Sequence, residues 1–210
     1  MSEELHKAAL EGQAEAVKRM LDSGANVNSK NRDGDTPLHL AVLQGRAEVV
    51  KLMLDRGANI EAKNRDGETP LYWAARKGRT EVVKLLLDRG ADANAREADG
   101  ETPLYWAARK GRTEVVKLLL DGGADANAKN ADGDTPLHKA AKKGYTEVVK
   151  LMLDSGANAT ARNKEGKTPL YWASIEGHIA AAALMEDKCP APVPKADADE
   201  DLPFWRRRFW

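Results

Sequence analysis

The chain has 210 residues, of which 42% are hydrophobic, and its 33 basic side chains are balanced by 33 acidic ones. Zero net charge provides no overall field that would attract nucleic acid or an anionic surface. The five Trp, four Tyr and two Phe residues are too few to build a core mainly from large rings. The longest apolar run, residues 179–185, is far shorter than the ~20 residues that a membrane helix needs.

The first residues and the single cysteine bear on the compartment. Glu3 and Glu4 stand where a secretory signal would carry basic residues, and no apolar segment follows them. Cys189 has no second cysteine with which to form an internal disulfide, and by itself it cannot hold a metal ion. We therefore expect an intracellular, reducing compartment.

A repeat with a step of 33 residues organises most of the chain. Residues 66–88 and 99–121 are identical, and 16 of the 17 glycines fall on three positions of the repeat. Each turn reads Asp-Gly (Glu-Gly in the last), one further residue and then Thr-Pro-Leu. The turns begin at Asp33, Asp66, Asp99, Asp132 and Glu165. Such a period predicts a stack of similar structural units.

Residues 64–96 show what one unit builds. Gly67 predicts a turn, because glycine reaches positive φ without steric cost. Thr69 can cap a helix with its hydroxyl, and Pro70 is suited to the first helical position, where its missing N–H is harmless. Gly78 predicts the end of this first helix.

A second helix follows in the same unit. Residues 81–88 are more apolar than the first helix and are closed by Gly90. In the first helix, Leu71, Ala74 and Ala75 share one face at the i, i+3, i+4 spacing. Since the first helices pack on alanines and the second on Val and Leu, stacked units should form an arc with the first helices inside.

These motifs resemble the ankyrin repeat family. Thr-Pro-Leu-His is intact at residues 36–39 and 135–138, and Glu-Val-Val-Lys-Leu and Gly-Ala follow in register. The resemblance implies an all-α solenoid of stacked helix-turn-helix units joined by β-turn loops. It covers six units, 3–30, 31–63, 64–96, 97–129, 130–162 and 163–187, followed by a tail at 188–210. The first and last units depart from the motifs, as the ends of a solenoid require.

The resemblance also implies a protein-binding scaffold without catalysis, and we expect a monomer that needs no cofactor. His6, His39 and His138 occupy the histidine position of Thr-Pro-Leu-His, which in the family makes hydrogen bonds between repeats. His178 follows the glycine in the middle of its unit. No zinc-protease, paired-cysteine, nucleophile-elbow or phosphate-loop motif is present. We therefore expect no catalytic residue and no bound metal.

The first helices have a second face, turned away from the second helices, which we call the inner face. At 100° per residue, Trp73, Arg76 and Lys77 lie there, opposite the alanines. The following units place aromatic or basic residues at the same positions, and tyrosines take the histidine position beside them. The predicted partner-binding residues are Tyr72, Trp73, Arg76, Lys77, Tyr105, Trp106, Arg109, Lys110, Lys139, Lys142, Tyr171 and Trp172.

Two interpretations of the inner face are open. Each tryptophan could pack beneath its own arginine and lysine, as a local cation–π arrangement on a solvated helix. Alternatively, the face is a binding groove, because Trp, Tyr and Arg are enriched in interface hot spots. We favour the groove, since ligands of the family commonly lie across such faces.

The groove predicts a class of ligand. Units stacked ~10 Å apart would meet an extended peptide about every third residue, since such a peptide rises ~3.3 Å per residue. The aromatic and basic residues of units three to five suit an apolar segment with acidic neighbours. The turns carry acidic residues that would suit a basic rim on the partner. These are Asp35, Glu68, Glu101 and Asp134.

The tail changes composition abruptly. Residues 189–195 are proline-rich, 196–201 contain four acids, and 202–210 combine aromatics with three arginines. The tail could be an unstructured terminus or an internal competitor that folds onto the inner face. It could also contact a membrane surface, and the alternative function is accordingly a peripheral membrane adaptor; single-stranded nucleic acid is the least favoured ligand. The predicted tail contacts are Phe204, Trp205, Arg206, Arg207, Arg208, Phe209 and Trp210.

Overall fold

The computed structural model describes residues 2–188 of the chain. This part consists of helices joined by turns and contains no strand, which confirms the all-α prediction. The helices are α1 (Ser2–Glu11), α2 (Ala14–Asp22), α3 (Pro37–Gln44), α4 (Ala47–Asp55), α5 (Pro70–Lys77), α6 (Thr80–Asp88), α7 (Pro103–Arg109), α8 (Thr113–Asp121), α9 (Pro136–Lys143), α10 (Thr146–Asp154), α11 (Pro169–Ile175) and α12 (Ile179–Glu186). The odd-numbered helices are the first helices of their units and the even-numbered helices are the second.

The ends of α5 show how local sequence starts and stops a first helix. The hydroxyl of Thr69 accepts a hydrogen bond from the backbone N–H of Tyr72 at 3.3 Å, and Pro70 occupies the first turn. Gly78 ends the helix with φ of 71°, in the left-handed region that glycine tolerates. Both ends therefore form as the sequence predicts.

Positive φ angles follow the repeat closely. The glycines with positive φ are the 16 at the three repeated positions, and among the described residues no other residue type adopts such an angle. Gly122 is the remaining glycine and closes α8 with φ of −81°. Because any residue can adopt that angle, glycine is not required at position 122.

The helices form two layers with the core between them. Leu71, Ala74 and Ala75 of α5 are buried against Val82 and Leu86 of α6, and the same arrangement recurs along the stack. Neighbouring first helices contact each other more extensively than neighbouring second helices do. Small side chains allow this closer approach, and the stack should therefore be concave on the side of the first helices.

Hydrogen bonds also join consecutive turns. The backbone N–H of Arg65 donates to the carbonyl of Asp33 at 3.0 Å, and that of Ala98 donates to the carbonyl of Asp66 at 3.0 Å. The last two turns repeat the bond, from Lys164 to Asp132, at 2.9 Å. The turns are thus fixed to each other as well as to their own helices.

The histidines make the inter-unit bonds that the family resemblance implies. Nδ1 of His39 accepts the backbone N–H of Thr36, and its Nε2 donates to the carbonyl of Glu68 in the next unit at 3.1 Å. His138 bonds to the carbonyl of Lys167 in the same way. Burial lowers the pKa of His39 and His138, which keeps both rings neutral and Nδ1 free to accept.

Candidate partner-binding face

The inner face carries three tryptophans, and each is half-buried. Trp73 packs against the core, and its indole N–H is shielded from solvent and has no hydrogen-bond partner among the described residues. These tryptophans, predicted from the sequence to contact a partner, are therefore not fully exposed. What reaches solvent is part of each ring together with the cations around it.

Trp106 lies at the centre of the largest cluster of this face. The guanidinium carbons of Arg76 and Arg109 each lie 4.4 Å from the centre of its ring, and the ammonium group of Lys110 lies 5.6 Å away. Tyr72 meets the same ring edge-on at a centroid distance of 6.1 Å. The local cation–π arrangement, one of the two interpretations of the sequence, is therefore present here, and it fixes the direction of two arginines.

The contacts around the rings follow a register that crosses from one unit to the next. Arg76 reaches the tryptophan of the following unit, and Lys142 does the same, lying 3.9 Å from the ring centre of Trp172. The corresponding position before Trp73 is occupied by Leu43. Among the described residues, no cation lies over Trp73, whereas the rings of Trp106 and Trp172 are each covered by cations.

Two of the three predicted tyrosines are not accessible. Tyr72 is 3% exposed and Tyr105 is 2% exposed, and burial raises the pKa of both hydroxyl groups. The hydroxyl of Tyr105 accepts a hydrogen bond from Nδ2 of Asn130 in the next unit at 3.1 Å. Both tyrosines were predicted to contact a partner, and the correction is that they position their neighbours instead. Tyr171 is half-buried and packs edge-on against Trp172.

The acidic residues of the turns are also less available than the sequence suggested. Glu68 and Asp134 are 7% and 6% exposed, and they bind Arg76 at 3.3 Å and Lys139 at 2.6 Å respectively. Although burial opposes it, Lys139 and Asn163 hold the pKa of Asp134 below its ordinary value. Arg76 engages Glu68 within its own unit, whereas Asn64 and Asn163 bond to Asp35 and Asp134 of the preceding units, so these three buried carboxylates do not form a rim for a basic partner.

The remaining cations of the inner face have no such counterions. Apart from Arg76 and Lys139, the inner face carries five cations that form no salt bridge with a carboxylate of residues 2–188. These are Lys77, Arg109, Lys110, Lys142 and Lys143. Between α7 and α9 the face has a depression of about 390 Å³, lined mainly by Arg109 and the three lysines of α9. The centre of the face is therefore positively charged, although Glu101 and Asp132 also border the depression.

The chemistry of the face changes along the stack. The second unit presents Leu40, Leu43 and Gln44, and the middle units present cations. The sixth unit presents Trp172 and Ile175, whose side chain is 48% exposed. A ligand that spans the stack would thus meet apolar surface at both ends and positive charge in the middle.

Sequence reasoning missed two residues beside this face. Glu97 stands where four other turns have Asn, and next to it the pKa of Glu101 is raised, first by burial and then by the charge of Glu97. Lys167 stands where other turns have an acid, and its ammonium group lies 3.9 Å from the ring centre of Tyr171. In both cases, departure from the repeat was the available signal.

The predicted tail contacts, Phe204 to Trp210, lie outside the described residues. Within the described part of the chain, no helix has the length and apolarity needed to cross a membrane. No group of three or more potential metal ligands comes together in that part either.

Comparison with known proteins agrees with the architecture. The family model described as ankyrin repeats in three copies matches residues 5–97, 57–130 and 104–191. No individual curated protein matches the chain at a significant level. The three matches run from residue 5 to residue 191 and so cover most of the chain. They include the six helix pairs and the histidine contacts described above. The chain therefore belongs to the ankyrin repeat family.

Proposed function

We propose that this chain is a non-catalytic scaffold that binds an extended, acidic segment of a partner protein across its inner face. Ankyrin repeats are generally protein–protein interaction modules, and the proposal adds the location and the chemistry of the ligand. The observation that carries it is the group of five inner-face cations without a carboxylate in contact, defined above.

The tryptophans support binding by holding cations in place. A long basic side chain loses rotamer freedom when it binds, which costs about 0.5–1.5 kcal/mol per side chain. Stacking on Trp106 restricts Arg76 and Arg109 before a ligand arrives, and stacking on Trp172 restricts Lys142. Carboxylates of a ligand can then pair with groups that are already oriented, while its apolar residues cover Trp73 and Ile175.

The test uses two fluorescent extended peptides, one of repeated Leu-Asp-Glu and one of repeated Leu-Lys-Arg. We expect the full chain to bind the acidic peptide, with an affinity that falls as salt screens the exposed charges. Lys142→Glu combined with Lys143→Glu should weaken binding at least about fivefold, since each reversal replaces a favourable exposed pair by a repulsive one. The matched control is Lys84→Glu combined with Lys117→Glu, which makes the same charge change on exposed positions of α6 and α8. Equal losses in both double variants would contradict the proposal.

The tail hypotheses remain separate predictions. If residues 196–201 compete for the inner-face cations, deletion of residues 189–210 should raise affinity for the acidic peptide.

If residues 204–210 contact a membrane, the full chain should co-sediment with anionic vesicles and the Arg206–Arg208 alanine variant should not. Binding to single-stranded nucleic acid would show a steep salt dependence. We also expect a monomer, which sedimentation can check.

A further inference from the structure

The outer side of α12 is apolar where every earlier second helix is charged. The other second helices expose a glutamate and, three residues later, a lysine, as at Glu147 and Lys150 of α10. The corresponding residues of α12 are Ala180 and Ala183, and both are exposed. Ile179 replaces Thr146 and is 61% exposed. Ile179, Ala180 and Ala183 are neighbours on one helix face, which we call the outer patch.

The replacement of charged residues by apolar ones on α12 is the opposite of what the end of a stack requires. A helix that is apolar on all sides is normally buried, and a terminal unit normally shows a polar surface to water. In α12 the inward residues Ala181, Ala182 and Met185 are fully buried, while the outer patch is open. The outer patch therefore has the apolar composition of a buried surface, although no described residue covers it.

The outer patch does not serve a further repeat. The surface that would receive one carries polar replacements instead, because Glu186 stands where α10 has Leu153, and Ser174 where α9 has Ala141. Leu87, the same position in α6, shows that this site faces the following unit, since it lies against Gly122. Polar change on the stacking side and apolar change on the outer side point to an occupant other than another unit.

The sequence after Lys188 supplies such an occupant. Residues 202–210 contain Leu202, Phe204, Trp205, Phe209 and Trp210. The 13 residues from 189 to 201 can span up to about 45 Å, whereas α12 is only about 12 Å long, so the connection imposes no limit. The three arginines of the segment suit the exposed carboxylates of Asp154, which ends α10, and of Asp187, which follows α12.

We propose that the aromatic segment 202–210 docks on the outer patch of α12 and covers it. This inference is independent of ligand binding by the inner face. It also competes with the hypothesis that the tail folds onto the inner face, because the two placements put the segment on opposite sides of the two-layer stack. The outer placement explains the apolar composition of α12, which the inner placement leaves without a role.

The test is a double-variant cycle in the full chain, measured by hydrogen exchange. One variant restores the residues of α10, as Ile179→Thr, Ala180→Glu and Ala183→Lys. The other removes the rings, as Phe204→Ser, Trp205→Ser, Phe209→Ser and Trp210→Ser. We expect each to speed exchange of the α12 amides about tenfold, equivalent to about 1.4 kcal/mol, and the combination to do no more than either one. The amides of α10 should not change and are the internal reference.

Several outcomes would overturn the inference. The tail variant changes no residue of the described part of the chain. An unchanged exchange rate of the α12 amides in that variant is therefore enough by itself to overturn the inference. Additive effects of the two variants would show that the patch and the segment act separately. Protection of α12 that rises with protein concentration would assign the patch to a second copy. Protection that appears only with phosphatidylserine vesicles would assign it to a membrane. A gain in acidic-peptide affinity in the tail variant would place the segment on the inner face.

Discussion

Replacing Glu97 by asparagine should stabilise the protein. At the corresponding position of the previous unit, Oδ1 of Asn64 accepts the backbone N–H groups of Asp66 and Glu68 at 3.0 and 2.9 Å. Its Nδ2 donates to the carboxylates of Asp35 and Glu68, both at 3.0 Å, and thereby joins two units. Glu97 keeps the accepting function, towards Asp99 and Glu101, but it has no hydrogen to donate.

The magnitude follows from the groups involved. The substitution removes a negative charge that raises the pKa of Glu101 and supplies donors to two carboxylates. A hydrogen bond to a charged group contributes about 1.5–3 kcal/mol, and the partial exposure of Glu101 reduces its share. We expect a total of about 2 kcal/mol, which for a domain of this size raises Tm by roughly 4–8 °C.

The assay is urea and thermal unfolding followed by circular dichroism, at several pH values. Because the pKa of Glu101 is raised above 4.5 in the folded state, the folded chain binds this proton more tightly than the unfolded chain. The contribution of Glu101 to stability therefore declines as pH rises above 4.5 through the raised pKa of the folded state, and Glu97→Asn should reduce this decline. Glu97→Ala is the control, since it removes the charge without adding a donor and leaves two N–H groups without their acceptor. An asparagine variant no more stable than the wild type at pH 7 would contradict the donor role assigned to position 97.

Three further predictions concern the stack and the inner face. Burial holds the pKa of His39 and His138 below 6.5, so protons bind the unfolded chain first and stability should fall below about pH 6.5, by up to about 1.4 kcal/mol per pH unit for each ring. Replacing both by tyrosine, the residue of units three, four and six, should make stability measured by urea unfolding less dependent on pH. An unchanged pH profile would show that these histidines are not the cause of the loss. Gly122→Arg should raise stability by about 0.4–1 kcal/mol in thermal unfolding, because φ is ordinary there and arginines at this position of α4 and α6 pair with the preceding unit. Loss of stability would show that the tight contact with Leu87 outweighs this gain. Trp106→Leu should weaken acidic-peptide binding roughly threefold, because two cations lose the ring that orients them; an unchanged Kd would show that this orientation does not matter.

Much of the fold could be predicted because its signals are local. The threonine cap, the proline and the terminal glycine of α5 act within one or two turns, and the repeat carries them through the stack. The buried alanines follow from helical spacing alone. Unit boundaries cannot be checked in the same way, since a continuous stack has no physical break at which one unit ends, and those proposed from the sequence remain a convention.

The candidate site was harder to predict because its exposure depends on the neighbouring unit. Tyr105 is closed off by Asn130 and Lys139 of the next unit, and the carboxylate of Asp134 is engaged by Asn163 of the next unit. Helical periodicity places such residues on the correct side of their own helix. It does not show what the following unit, about 30 residues away, lays over them.

The repeat, the helix ends and the inner position of the aromatic and basic residues could be predicted from the sequence, because each depends on spacing and contacts within one unit. Which of those side chains remain exposed to solvent depends on packing between units. It buried Tyr72 and Tyr105, engaged Asp35 and Asp134 between units, and left five inner-face cations without a carboxylate partner among the described residues. Stacking is the physical reason, since each unit covers the edge of the one before it and thereby selects what solvent can reach.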